Sequence, residues 1–123
     1  MNLLEEREYY KPFVYPWAFE FYKRQQQMHW LPDEVPLQDD IKDYNQKLSD
    51  GERTLIDNIF KFFTQADVDV CCGYAKHYLP TFKQPEVRMM LVSYAAMEAV
   101  HQEAYSLLLE TLGKSDDMYQ EFF

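Results

Sequence analysis

The chain has 123 residues, 47% of them apolar and 17% aromatic, enough for one domain with a substantial core. Its 12 Lys and Arg against 21 Asp and Glu leave a formal charge of -9, which argues against nucleic acid or an anionic membrane surface as partner, since both call for concentrated positive charge. No apolar run approaches the roughly 20 residues that span a bilayer, and MNLLEEREYY lacks the basic and apolar regions of a secretory signal, so a cytoplasmic protein is expected.

With only three glycines and apolar positions at helical rather than alternating spacing, the sequence predicts an all-α fold with no strand. One incomplete helical domain over 1–123 is expected. A first helix is predicted over about 16–28 (PWAFEFYKRQQQM), opened by a proline suited to a first turn. The two prolines of HWLPDEVP prevent its continuation, so 29–48 reads as a Trp- and Pro-containing loop, in which DDIKDYNQKL has room for one more helical turn. Ser49 or Asp50 is the expected N-cap of a long helix over about 51–79, with Glu52 or Arg53 in its first turn.

The apolar face of that helix runs through Ile56, Ile59, Phe60, Phe63, Val70, Cys71 and Tyr74. Asp67 sits in the middle of it, while Lys61, Gln65, Asp69 and Lys76 fall on the side expected to meet solvent. Cys71 and Cys72 are the only cysteines; adjacent on a helix, they point in different directions, which suits neither a disulfide nor a CxxC pair and fits a reducing compartment. Pro80 and Pro85 bracket the next connection, and Pro85 opens a second long helix over about 85–112, closed by Gly113 as a left-handed cap. Leu91, Tyr94, Ala95, Glu98, His101, Tyr105, Leu108 and Leu112 form its expected buried face, with Arg88, Gln102, Glu103 and Glu110 outward. MYQEFF ends the chain as a tail with no assigned structure.

Glu98, His101 and Tyr105 stand at i, i+3 and i+7, one stripe of a helix that is otherwise apolar there. An ionised carboxylate in an apolar interior is normally neutralised, paired or bound to a cation. Carboxylates with an imidazole suit iron or manganese, and Glu-x-x-His is the unit that helical bundles use to hold two metals, because one turn brings both side chains to the same point. Asp67, on the matching face of the preceding helix, adds a third donor, and Tyr105 adds a redox-active phenol one turn past His101.

FFTQAD, followed by MEAVHQEAY with Glu98 31 positions after Asp67, resembles the N-terminal half of the radical-generating small subunit of class I ribonucleotide reductase, a ferritin-like di-iron carboxylate family. HWLPDEVPLQDDIKDY is similar to the family's FW-x-PEEV segment and the stretch after it, so the resemblance runs from Trp17 to Leu112. It implies a partial ferritin-like bundle with Asp67, Glu98 and His101 as the first half of a di-metal ligand set. Tyr105 would be the tyrosine oxidised to a stable radical, and Trp30 the tryptophan that relays an electron. The implied cofactors are two iron ions, or manganese and iron, with O2 as oxidant, and the implied partner is the large subunit, where the nucleotide loses its 2'-hydroxyl.

The family's remaining ligands, another Glu and a second Glu-x-x-His, do not occur in the sequence: His77 has Tyr74 three residues before it, and His29 has Gln26. The expectation is therefore an N-terminal piece of a split small subunit, not active alone, completed by a second small-subunit chain within a higher oligomer, in a bacterial cell or, for a virus, the host cytoplasm. Two other readings stand beside it. A homodimer could complete the site with two copies of Asp67, Glu98 and His101, as a di-metal oxidase or iron-handling bundle, or the three residues could form a structural ion network in a non-catalytic helical interaction module.

Overall fold

A computed structural model describes residues 2–122. Among the described residues every regular element is helical: α1 (Pro16–Gln27), α2 (Gln38–Gln46), α3 (Asp50–Gly73), α4 (Leu79–Thr81) and α5 (Pro85–Thr111). A π-helical turn, Tyr74–Tyr78, joins α3 to α4, and 3-10 turns cover Pro32–Glu34 and Asp116–Phe122. The chain divides into two compact units, one comprising the residues up to His29 with Asp69–Ala99, the other Trp30–Val68 with the residues from Val100. Both α3 and α5 pass through both units.

In the first unit, Ala18 of α1 packs with Val87 and Leu91 of α5, surrounded by Leu3, Tyr15, Tyr74, Leu79, Phe82 and Met90. Alongside lies a polar clasp. Arg7 and Glu86 form an ion pair whose side chains have no exposed surface. The Arg7 guanidinium also donates to the carbonyls of Tyr9 and Tyr10 and to Gln84 Oε1, and Glu86 accepts the backbone N–H groups of Val14 and Tyr15 at 2.9 Å each. Glu86 lies in the first turn of α5, where the helix dipole favours a carboxylate. Burial alone would raise its pKa; the Arg7 guanidinium and the backbone N–H groups outweigh burial and hold it below its ordinary 4.5.

The long helix expected to end at about 79 instead continues through Pro80, which lies inside α4. A proline inside a helix lacks a donor, and its ring crowds the carbonyl four residues earlier, here Lys76. The π turn widens the helix over that carbonyl, with the Leu79 N–H reaching back to Tyr74 O. Arg88 does not face outward as expected: half-buried, it donates to the carbonyls of Leu79 and Phe82 at 3.2 Å each and so ties down the connection.

The second unit is fixed by end signals and side-chain bonds. Ser49 and Glu52 form a reciprocal capping box at the start of α3, with Ser49 N–H to Glu52 Oε2 at 2.7 Å and Glu52 N–H to Ser49 Oγ at 3.2 Å. Gly113 closes α5 at φ 80°, with its N–H on Glu110 O and the Lys114 N–H on Leu109 O, a Schellman arrangement. Segment 29–48, read as a loop with one turn, contains the nine-residue helix α2. Its buried Tyr44 accounts for this: the phenol donates to Asp57 at 2.8 Å, and Lys114 and Arg53 sit over its ring. Asp57 also pairs with Lys114 at 2.8 Å, which raises the Lys114 pKa. Lys61, expected in solvent, is buried; its methylene stem lies within the unit and its Nζ meets the Glu121 carboxylate on the C-terminal 3-10 turn.

Candidate metal centre

Asp67 comes from the middle of α3, and Glu98 and His101 from one turn of α5. Each offers one ligand atom, and these atoms all lie within 4.8 Å of one another. The three side chains are half-buried, and the Oδ2 atom of Asp67 is withdrawn from solvent altogether. Among the described residues no other trio of His, Cys, Asp or Glu converges in this way. Two carboxylates and an imidazole are a donor set for iron or manganese, and their spread is one that bonds of about 2 Å span after small side-chain rotations. The residues present therefore fit a metal.

Other side chains surround the trio. Gln102 Nε2 donates to the Asp67 carbonyl at 3.3 Å, linking α5 to α3 beside the donors, where sequence spacing had put Gln102 outward. The Trp30 indole lies with its ring centroid 6.3 Å from that of His101, at an interplanar angle of 32°. Tyr105, one turn past His101, stacks on Phe60 at 5.8 Å and on Phe63 at 5.7 Å. Near Glu98 the Tyr74 phenol has its pKa raised above 10.0, by burial first and by the Glu98 charge second. All five residues singled out in the sequence therefore lie in two local groupings: the three donors with Trp30 against His101, and Tyr105 in its aromatic stack.

The ribonucleotide reductase small-chain family matches residues 7–123. The chain belongs to that family. A probable ribonucleoside-diphosphate reductase small subunit of Invertebrate iridescent virus 6 is 51% identical over 99% of this chain and 34% of its own length. The ribonucleoside-diphosphate reductase small subunit of Dictyostelium discoideum is 33% identical over 91% of this chain and 33% of its own. Among solved structures, a ribonucleotide reductase R2 subunit from Clostridium botulinum superposes with a TM-score of 0.78 at 29% identity, over 88% of this chain and 34% of that one. The fold is thus the ferritin-like helical one of small subunits, and the chain spans about a third of the length of the relatives it matches.

Two features beside the three donors are not apparent from the sequence pattern. Tyr74 was counted only as part of an apolar face, although its place seven residues after Asp67 already put it two turns along the same stripe. Gln102 was assigned by periodicity alone, which cannot register a side-chain amide turning back to a neighbouring helix's carbonyl.

Proposed function

We propose that this chain supplies one half of the di-metal site of a class I ribonucleotide reductase small subunit, and that the whole subunit generates a tyrosyl radical for deoxyribonucleotide synthesis. The convergence of Asp67, Glu98 and His101 within 4.8 Å carries this reading. These three residues would hold the metals together with a Glu and a Glu-x-x-His from outside this sequence. When bound, two iron ions, or manganese and iron, supply the oxidising power released by O2 reduction.

Tyr105 is the phenol that stores the oxidising equivalent. A phenol that loses an electron becomes strongly acidic, so Tyr105 Oη releases its proton as its electron leaves. The Phe60 and Phe63 rings stack on the phenol and hold it in position. Trp30, in ring contact with His101, passes the electron between this site and the large subunit, which binds the nucleotide. Free Cys71 and Cys72 support a reducing, cytoplasmic setting.

Native mass spectrometry after anaerobic loading with ferrous iron, with and without copurifying proteins, tests the reading. The expected species contains this sequence, the segment that carries the remaining ligands and two metals; a metal-loaded homodimer of this sequence alone would favour the self-completed oxidase, and metal-free species throughout would overturn a metal role. His101→Ala should lower metal content, whereas Tyr105→Phe should preserve it and abolish the sharp tyrosyl resonance. Unchanged metal in the His101 variant would remove it from the ligand set.

A further inference from the structure

A second tyrosine stands near the donors in surroundings opposite to those of Tyr105. Tyr74 begins the π turn seven residues past Asp67, about 10 Å further along the helix. It is half-buried against the Ala18, Val87 and Leu91 cluster. Tyr78, at the other end of that turn, has its ring centroid 5.6 Å from that of Tyr74, with an interplanar angle of 56°, and is 50% exposed. Tyr74 lies close enough to Glu98 to feel its charge. The Tyr105 ring stacks on two phenylalanines, which are far harder to oxidise than a phenol, so an oxidising equivalent there is retained. One that reaches Tyr74 has an oxidisable, exposed neighbour.

We propose that Tyr74 and Tyr78 form a discharge path along which an oxidising equivalent from the Asp67, Glu98 and His101 cluster reaches the surface as a radical on Tyr78, where a soluble thiol or ascorbate returns the electron. The path rests on the metal reading above, since the oxidant is O2 reduced at the ferrous-loaded site. In the first step Tyr74 Oη gives one electron towards the site and its proton to water. Tyr78 then gives one electron to the Tyr74 phenoxyl, which takes back a proton while Tyr78 Oη releases its own to solvent. The thiol or ascorbate supplies one electron and one proton to Tyr78, so neither tyrosine is consumed. The π turn belongs to this device because it sets where the two rings stand after α3 ends.

Assembled with the rest of its small subunit and loaded anaerobically with ferrous iron, the protein is exposed to O2 with a nitroso spin trap, and adducts are located by peptide mass spectrometry. An adduct is expected at Tyr78; it should be lost in Tyr74→Phe at unchanged iron content and should move to Tyr74 in Tyr78→Phe. Both substitutions keep the ring, so packing survives. An undiminished Tyr78 adduct in Tyr74→Phe would overturn the path. A second arm uses the metal-free chain and photo-oxidation by ruthenium tris(bipyridine) with persulfate. Oxidation of Tyr74 should then fall in Tyr78→Phe, and unchanged oxidation would overturn the coupling of the pair. Because this arm needs no iron, it separates failure of the path from failure of the metal reading, which is marked by loss of iron in the first arm.

Discussion

Replacing Arg7 by Met should destabilise the protein in a way whose pH dependence runs opposite to that of the native chain. The substitution deletes five donated hydrogen bonds, to Tyr9 O, Tyr10 O, Gln84 and both oxygens of Glu86, and leaves a carboxylate with no exposed surface beside a methionine. Removing one partner of a buried pair costs about 3–5 kcal/mol, a large share of a domain stability of about 5–15 kcal/mol. In the native chain the Glu86 carboxyl is held below its ordinary 4.5. The unfolded chain therefore takes up the proton first, so the stabilisation is fully present above 4.5 and is lost as pH falls through the folded value. Without Arg7, burial pushes Glu86 the other way: protonation then favours the folded state, and acid relieves the penalty. The stability gap between the two proteins, from urea unfolding followed by far-UV circular dichroism, should narrow between about pH 7 and about pH 4. A gap that stays constant with pH, or one below about 1 kcal/mol as for a surface pair, would refute the clasp.

Ser49→Ala should cost about 1 kcal/mol by removing the hydroxyl half of the capping box, read as a lower urea midpoint with unchanged slope. Gly113→Ala meets no atom within 4 Å of the new Cβ, so its loss of about 1 kcal/mol in thermal unfolding should come from the backbone at φ 80° alone. Phe63→Leu should lose the stacking on Tyr105, about 0.5–1.5 kcal/mol, and, on the proposed reading, a radical on Tyr105 in the iron-loaded small subunit should decay faster. An unchanged decay would reduce the stack to packing.

Much of this molecule could be read in its sequence because its organising signals are local. The capping box at Ser49 and Glu52, the proline opening α5 and the glycine closing it each act within one turn, and Glu98 and His101 share a single turn as well. What escaped reading depends on partners distant in sequence. Lys61 is polar by type and lies on the expected outer side, yet Glu121, 60 positions away, draws it in. Nothing around Glu86 in the sequence marks it as buried, because its partner Arg7 lies 79 positions earlier. The π turn escaped for another reason: periodicity of 3.6 assumes a regular helix, and the proline that disturbs it was taken as the end of that helix.

Three donors also say what must accompany the metal. A di-metal centre needs more protein ligands than two carboxylates and one imidazole provide, and α3, which carries one of the three, leaves Leu55, Ile59, Phe62 and Val70 exposed at 60, 39, 57 and 47%. These large side chains recur along the helix at the spacing of a packing stripe, which is unfavourable against water. On the proposed reading, the segment that brings the missing Glu and Glu-x-x-His also covers this stripe, so apolar burial and coordination favour the same assembled state. Ligand binding to that state alone stabilises it by mass action, and structural metals contribute folding energy in the same way. Metal affinity and assembly are then a single linked equilibrium. Iron added to residues 1–123 alone should be held weakly, and the completing segment, added as a separate polypeptide, should raise that affinity by the same factor by which iron raises the affinity of residues 1–123 for it.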